Sequence, residues 1–208
     1  MAAASPSLAA PALPAAPGAL SFRMTARVGA AGLNAGTEQT VQARVLLRGR
    51  AARVETNAGG SPTVVLFLPP YVYRLLPASK AGVRWKVDAK RPSTLSNFDA
   101  QSLLRDPARL KSALISGGAK KVGVGAIDKM PVDIYESQNF GRAGQRVKIW
   151  LRRTDSLPLR LEARGGELHL VASWRDYARP TRLPAALFAP PKGFRVREVA
   201  GPPPFSML

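Results

Sequence analysis

His169 is the only histidine of this 208-residue chain, and there is no cysteine. A His-based catalytic triad therefore has one candidate base, and thiol catalysis, thiolate metal sites and multi-histidine metal sites have none. His169 sits between Leu168 and Leu170, so a strand there turns it to the charged face, with Arg160 and Glu162 expected across the hairpin. That pattern fits a solvated histidine. Asp128, Asp133 and Glu136 lie close in sequence without a neighbouring histidine, and read as arginine partners rather than Mg²⁺ ligands. Gly123-Val-Gly125 lacks the rest of a phosphate-binding loop, and no serine sits in G-x-S-x-G. The residues thus point to no enzyme, no catalytic or metal-binding residues and no cofactor.

Charge is the next chemical resource. The chain carries 31 Lys and Arg against 13 Asp and Glu, a net charge of +18. Such an excess suits an anionic membrane surface, an acidic protein or nucleic acid. For nucleic acid, Tyr71, Tyr73, Trp85, Trp150 and Trp174 offer stacking surfaces beside arginines. No RNP-type motif accompanies them and aromatics make up only 7% of the chain, so nucleic acid is the weakest of these partners. The basic residues are scattered from Arg23 to Arg197 without a dense run, which also fits plain solvated positions.

The elements that must position these residues are mostly strands. Residues 1–19 are an Ala/Pro-rich stretch in which Pro6, Pro11, Pro14 and Pro17 break any helix, and they read as a flexible linker. From residue 20 the chain alternates. Phe22, Met24, Ala26 and Val28 share one face of a strand, and Val41, Ala43, Val45 and Leu47 share one face of the next. Further strands are expected over 50–55, 64–68, 71–76, 83–87, 121–127 and 132–135, the last two flanking a Met130-Pro131 turn. Val147–Leu151, Leu157–Ala163, Leu168–Trp174 and Phe194–Val199 complete the set. Between Ser96 and Ser116, Leu103, Leu104, Leu110, Leu114 and Ile115 recur at helical spacing, with Pro107 as an interruption and Gly117-Gly118 as the stop. The fold class is mainly β with a helical insertion: one curved antiparallel sheet of about ten strands, its apolar face covered by the helices.

The second half carries a family pattern. The run Val147–Arg153 (VKIWLRR), then Ser156–Leu161 (SLPLRL), Leu168–Trp174, Tyr177 and Leu187–Val196 (LFAPPKGFRV) resembles the carboxy-terminal signature of the LolA-like family. Phe22-Arg-Met-Thr25, Arg48-Gly-Arg50 with Arg53-Val-Glu55, and Tyr71-Val-Tyr73 with Pro77 agree more loosely, so the resemblance covers residues 20–199. It implies a half-barrel with helices on the concave side, as in periplasmic carriers that shield lipoprotein acyl chains or other lipids. An arginine that closes the lid in the lipoprotein chaperones has three competing positions here, Arg44, Arg48 and Arg50.

A hydrophobic carrier gains about 0.8 kcal/mol for each methylene that it buries and needs no acid, base or nucleophile. The expected ligand-binding wall is the same-face set Val45, Leu47, Ile149, Leu151, Leu159, Leu161, Leu168 and Leu170, with Met24 and Leu66 nearby. The same residues would equally form a filled core under the helix. The expectation is a monomeric periplasmic or secreted carrier for a lipid or an acylated lipoprotein, comprising residues 20–199 and followed by a Pro-rich tail over 200–208. The alternatives are an envelope protein-interaction domain of the same fold and a polyanion-binding protein.

Overall fold

A computed structural model describes residues 18–30, 38–58, 60–86, 107–138, 146–165 and 168–201. Residues 1–17 of the linker expected over 1–19 and residues 202–208 of the tail expected over 200–208 lie outside them, as do Leu103 and Leu104 of the expected helix.

Among the described residues twelve strands form one open sheet, one for each segment read from the sequence, against an expected total of about ten. They are β1 (Leu20–Ala30), β2 (Gln39–Arg48), β3 (Ala51–Ala58), β4 (Ser61–Leu68), β5 (Tyr71–Leu76) and β6 (Ala81–Lys86), then β7 (Lys120–Ile127), β8 (Met130–Ser137), β9 (Arg146–Arg152), β10 (Pro158–Gly165), β11 (Leu168–Ala178) and β12 (Arg195–Glu198). Their order across the sheet is β12-β6-β5-β4-β3-β2-β1-β11-β10-β9-β8-β7. Two meanders are therefore joined by one antiparallel pairing between β1 and β11, in which Met24 faces Trp174 and Ala26 faces Ala172. All pairs are antiparallel except β12 with β6, which run parallel. Sequence alternation could not show that edge, because parallel pairing needs a crossover and only four residues of β12 take part.

Local chemistry sets the turns. Asp128 and Lys129 both have positive φ (49° and 65°), so the β7–β8 hairpin turns there, with Met130 and Pro131 already inside β8. The Met130-Pro131 turn expected from the sequence is thus displaced by two residues. A 3-10 turn over Pro77–Ser79 joins β5 to β6. In β7 the register slips between Lys121 and Gly123, leaving Val122 as a bulge on the outermost strand.

One helix is described, α1 (Pro107–Ser116). Pro107 is its first described residue, a position that a proline takes at the start of a helix without losing a hydrogen bond. Its end is a paired C-cap: the Ala119 N–H reaches the Leu114 carbonyl at 2.8 Å and the Gly118 N–H reaches that of Ile115 at 3.0 Å. Gly118 takes the left-handed conformation this closure requires (φ 82°).

Leu110 and Leu114 seat the helix in the main core with Phe22, Val45, Leu47, Tyr135, Val147, Ile149 and Leu151. That core lies on one face of the sheet, hereafter the inner face. A second, smaller core of Val64, Leu66 and Leu75 sits on the outer face, covered by Phe194 and Val196 as the chain returns to β12. Gly82 permits that packing: a Cβ there would lie 2.6 Å from the Arg74 carbonyl oxygen and 2.7 Å from the Leu75 side chain. Ile115, expected on the apolar side of α1, is 51% exposed while Leu114 is 1% exposed. Leu114→Ala is accordingly expected to cost about 2–5 kcal/mol, and Ile115→Ala less than about 0.5 kcal/mol, as read from urea unfolding midpoints.

Candidate functional site

The strand registers place side chains on the two faces without ambiguity. On the inner face β1 presents Phe22, Met24, Ala26 and Val28, matched by Val45, Ala43 and Val41 on β2. Next to them β11 presents Leu170, Ala172 and Trp174. Leu161 and Ala163 of β10 and Val147, Ile149 and Leu151 of β9 continue the surface. In the other direction Ala52 and Val54 of β3 are followed by Phe67 and Val65 of β4. Across these seven adjacent strands, from β4 to β9, no paired inner-face position carries a charge.

Of the expected wall, Val45, Leu47, Ile149, Leu151 and Leu161 are buried together in the main core, with Met24 and Leu170 half-buried against it. Leu168 takes part through its backbone, paired with Ala30 and Gly165. Two residues sit elsewhere. Leu66 pairs with Arg53 and Tyr73 and so belongs to the outer face, where it is part of the second core. Leu159 is the extra residue of a bulge between Pro158 and Arg160, buried at 3% but in neither core cluster. Both displacements have one cause: a register parity that only pairing partners reveal.

Sequence alternation did not single out the alanines. Ala26 faces Ala172, Ala43 faces Met24, and Ala163 faces Leu170, so short side chains cluster at the centre of the inner face. The sheet surface is low there, beside the half-buried Met24 and Leu170.

The outer face of the same strands is charged. Arg23 stands between Arg44 and Arg175. Trp150 lies between Lys148 and Arg160, whose cationic groups are 5.3 and 5.4 Å from its ring. Glu136 pairs with Arg146, and Arg160 with Glu162 at 2.6 Å. His169 is exposed, as the alternation implied, but faces Arg164 and Gly29 instead of Arg160 or Glu162. Of the aromatics proposed as stacking surfaces, Trp85 and Trp174 are buried. Two shallow polar depressions are described, of about 180 Å³ beside Glu136, Arg146 and Lys148, and about 350 Å³ beside Gly117, Gly118 and Lys120. Neither touches the expected wall. Among the described residues, no group of His, Asp and Glu is arranged to hold a metal ion.

The residues carrying the family pattern build a brace. Arg152 grips Asp155 through two hydrogen bonds of 2.8 and 2.7 Å, and its guanidinium lies 5.4 Å from the centre of the Tyr177 ring. The Tyr177 hydroxyl donates to the Pro158 carbonyl at 2.6 Å, and the ring packs 5.4 Å from that of Phe22. Burial pushes the Tyr177 hydroxyl up, so it stays protonated as that donor. Burial alone would also raise the Asp155 carboxyl. The Arg152 hydrogen bonds, the Leu157 N–H and the Arg152 and Arg179 charges outweigh it and hold the group below the usual carboxylate range. Asp133 is likewise held down, first by the hydrogen bond from Lys121 at 2.9 Å, against the opposing effect of burial, and then by Arg153. Among the described residues, two enclosed donors have no acceptor: Nη2 of Arg74 and Nε1 of Trp174.

A carboxyl lowered in the folded state contributes stability above its unfolded value, and loses it as pH falls through the folded one. Asp155→Asn is therefore expected to be about 1 kcal/mol less stable than the parent near neutral pH, the partly exposed pair being screened by solvent. The gap should narrow as pH falls through and below the usual carboxylate range, and urea midpoints of the two proteins at neutral and acid pH check it.

No protein-family model and no curated protein sequence matches the chain. Among solved structures it is similar to an uncharacterized conserved protein from Thermus thermophilus, with a TM-score of 0.55 and 14% identity over 88% of this chain and 91% of that one. A LolA superfamily protein from Nitrosomonas europaea is similar at a TM-score of 0.40 and 14% identity, over 83% of this chain and 90% of that one. LprF from Mycobacterium bovis is similar at a TM-score of 0.44 and 12% identity, over 78% and 88% of the two chains. The likeness to the Thermus thermophilus protein is one of fold.

Proposed function

We propose that residues 20–199 form an extracytoplasmic carrier for a hydrophobic ligand, a lipid or the acyl chains of a lipoprotein, bound on the inner face of the sheet and covered by the helical segment. The observation that carries this reading is the charge-free inner face, seven strands wide. At a strand spacing of about 4.8 Å it extends roughly 29 Å. A face of this kind binds by removing methylenes from water. The alanine cluster supports the reading, because short side chains let a chain-like ligand approach the sheet backbone between Met24 and Leu170. The family resemblance of residues 147–196 points the same way, and gives the periplasm or the exterior as the place of action. None of the described helices is long and apolar enough to cross a membrane. On this reading the protein acts as a monomer, and from β4 to β9 its strand arginines lie on the outer face.

Two measurements test the reading. Organic extraction of the natively purified protein is expected to release a lipid detectable by mass spectrometry, and a fluorescent fatty acid is expected to bind and to be displaced by it. Absence of both results overturns the proposal. Leu170→Asp puts a charge on the inner face and is expected to weaken fatty-acid binding at least tenfold, because a buried carboxylate without a partner costs several kcal/mol. Val171→Asp, one residue along and on the opposite face, should leave it unchanged.

A further inference from the structure

Beyond β4 the inner face ceases to be neutral. Arg74 of β5 is paired between Val65 and Val83, so it stands on the same face as Val54, Phe67 and Val72. Its Nη2 is enclosed and has no hydrogen-bond partner. A guanidinium presents five donors and holds its charge at any physiological pH, so enclosing one of its nitrogens without an acceptor has a cost unless something else completes it. Burial lowers its affinity for the proton, and no carboxylate acts in the opposite sense.

The parallel pairing of β12 adds to this. Arg195 is opposite Ala81 and Arg197 opposite Val83, which turns both to the inner face, exposed and two strand spacings from β5. That separation is about 10 Å, within reach of two long side chains converging on one group. The single carboxylate on β4, β5, β6 and β12 is Glu198, and it faces outward, bound to Arg84 at 2.8 and 3.1 Å. Among the described residues of these four strands, three cations thus stand at one end of an apolar face, and the one carboxylate is on the other side of the sheet.

We propose that Arg74, Arg195 and Arg197 form a head-group site, and that the ligand is an anionic amphiphile. Its carboxylate or phosphate rests on these guanidiniums while its chain runs across the charge-free face from β4 towards β9. The inference rests on the carrier reading and adds the ligand's charge and orientation. Planar guanidinium forks suit both carboxylate and phosphate, with Arg74 as the enclosed anchor and the two exposed arginines closing from the edge.

The test uses the delipidated full chain and calorimetric titration below micellar concentrations with dodecanoate, dodecyl phosphate, dodecanol and inorganic phosphate. Both anionic amphiphiles are expected to bind about tenfold to a hundredfold more tightly than dodecanol, the range of one or two charge-assisted hydrogen bonds. Arg74→Met should remove that preference while leaving dodecanol affinity and the urea midpoint unchanged or improved, which a merely structural arginine would not do. The Arg195→Ser, Arg197→Ser double variant changes only exposed residues, and should narrow the preference by itself. Equal binding of dodecanoate and dodecanol overturns this inference and leaves the carrier reading standing, as does a preference unaffected by either variant. Inorganic phosphate binding as tightly as dodecyl phosphate identifies a free-anion site and overturns the amphiphile. Failure of every chain-bearing probe overturns both readings.

Discussion

The pairing of β1 with β11 is the constraint on which the sheet depends. Each meander can form from neighbouring hairpins, but neither alone presents a wide face, and only this pairing of strands about 150 residues apart unites them. Closing so long a loop has an entropic cost that local turns do not share. The residues at the seam are correspondingly interlocked. Phe22, Leu20 and Trp174 are buried there, and the Tyr177 ring meets Phe22 while its hydroxyl holds Pro158. The Arg152–Asp155 pair under that ring fixes the turn into β10. Arg152, Pro158, Trp174 and Tyr177, which fall within the motifs that resemble the LolA-like family, thus lie in or beside the seam.

With the seam in place, face identity follows from parity. Every inner-face position from β4 to β9 inherits its side from its partner, and the apolar surface is continuous because no register slip within those pairs turns a charge inward. The slips that do occur lie at Ser21/Arg23 and Pro158/Arg160, near one end of the strands. There the extra residues make room for the brace. The same parity separates the chain's two apolar cores, one under α1 and one under the returning C-terminal segment.

Much of this was legible in the sequence. The period-two runs of β1, β2, β9, β10 and β11 gave strands and faces directly, because each has one wet and one buried side. Leu66 shows where that reading stops. The run Val64–Leu68 is apolar at every position, so alternation does not say which residues face which way, and only the pairing with Arg53 and Tyr73 assigns Leu66 outward. Leu159 escapes alternation for the related reason that a bulge changes parity without changing composition. Arg74 gives no signal of its own, because a lone arginine in a half-buried strand looks like a solvated residue until its neighbours on both sides are known. The parallel β12 edge, which turns Arg195 and Arg197 inward, has no signature in a four-residue strand.

The bulge at Val122 has a consequence for how copies of the molecule meet. An open sheet of twelve strands ends in two rows of backbone donors and acceptors, each a template for a strand from another chain. At one end β12 shields most of β6 with a short strand of alternating arginines. At the other, β7 is the last strand, and Val122 and Val124 are exposed on it at 53% and 60%. The slip at Val122 breaks the periodic spacing of that row, and Lys120 and Lys121 add like charge beside it. A second copy stacked on this edge would meet an interrupted ladder, so β7 is a poor template for a further strand.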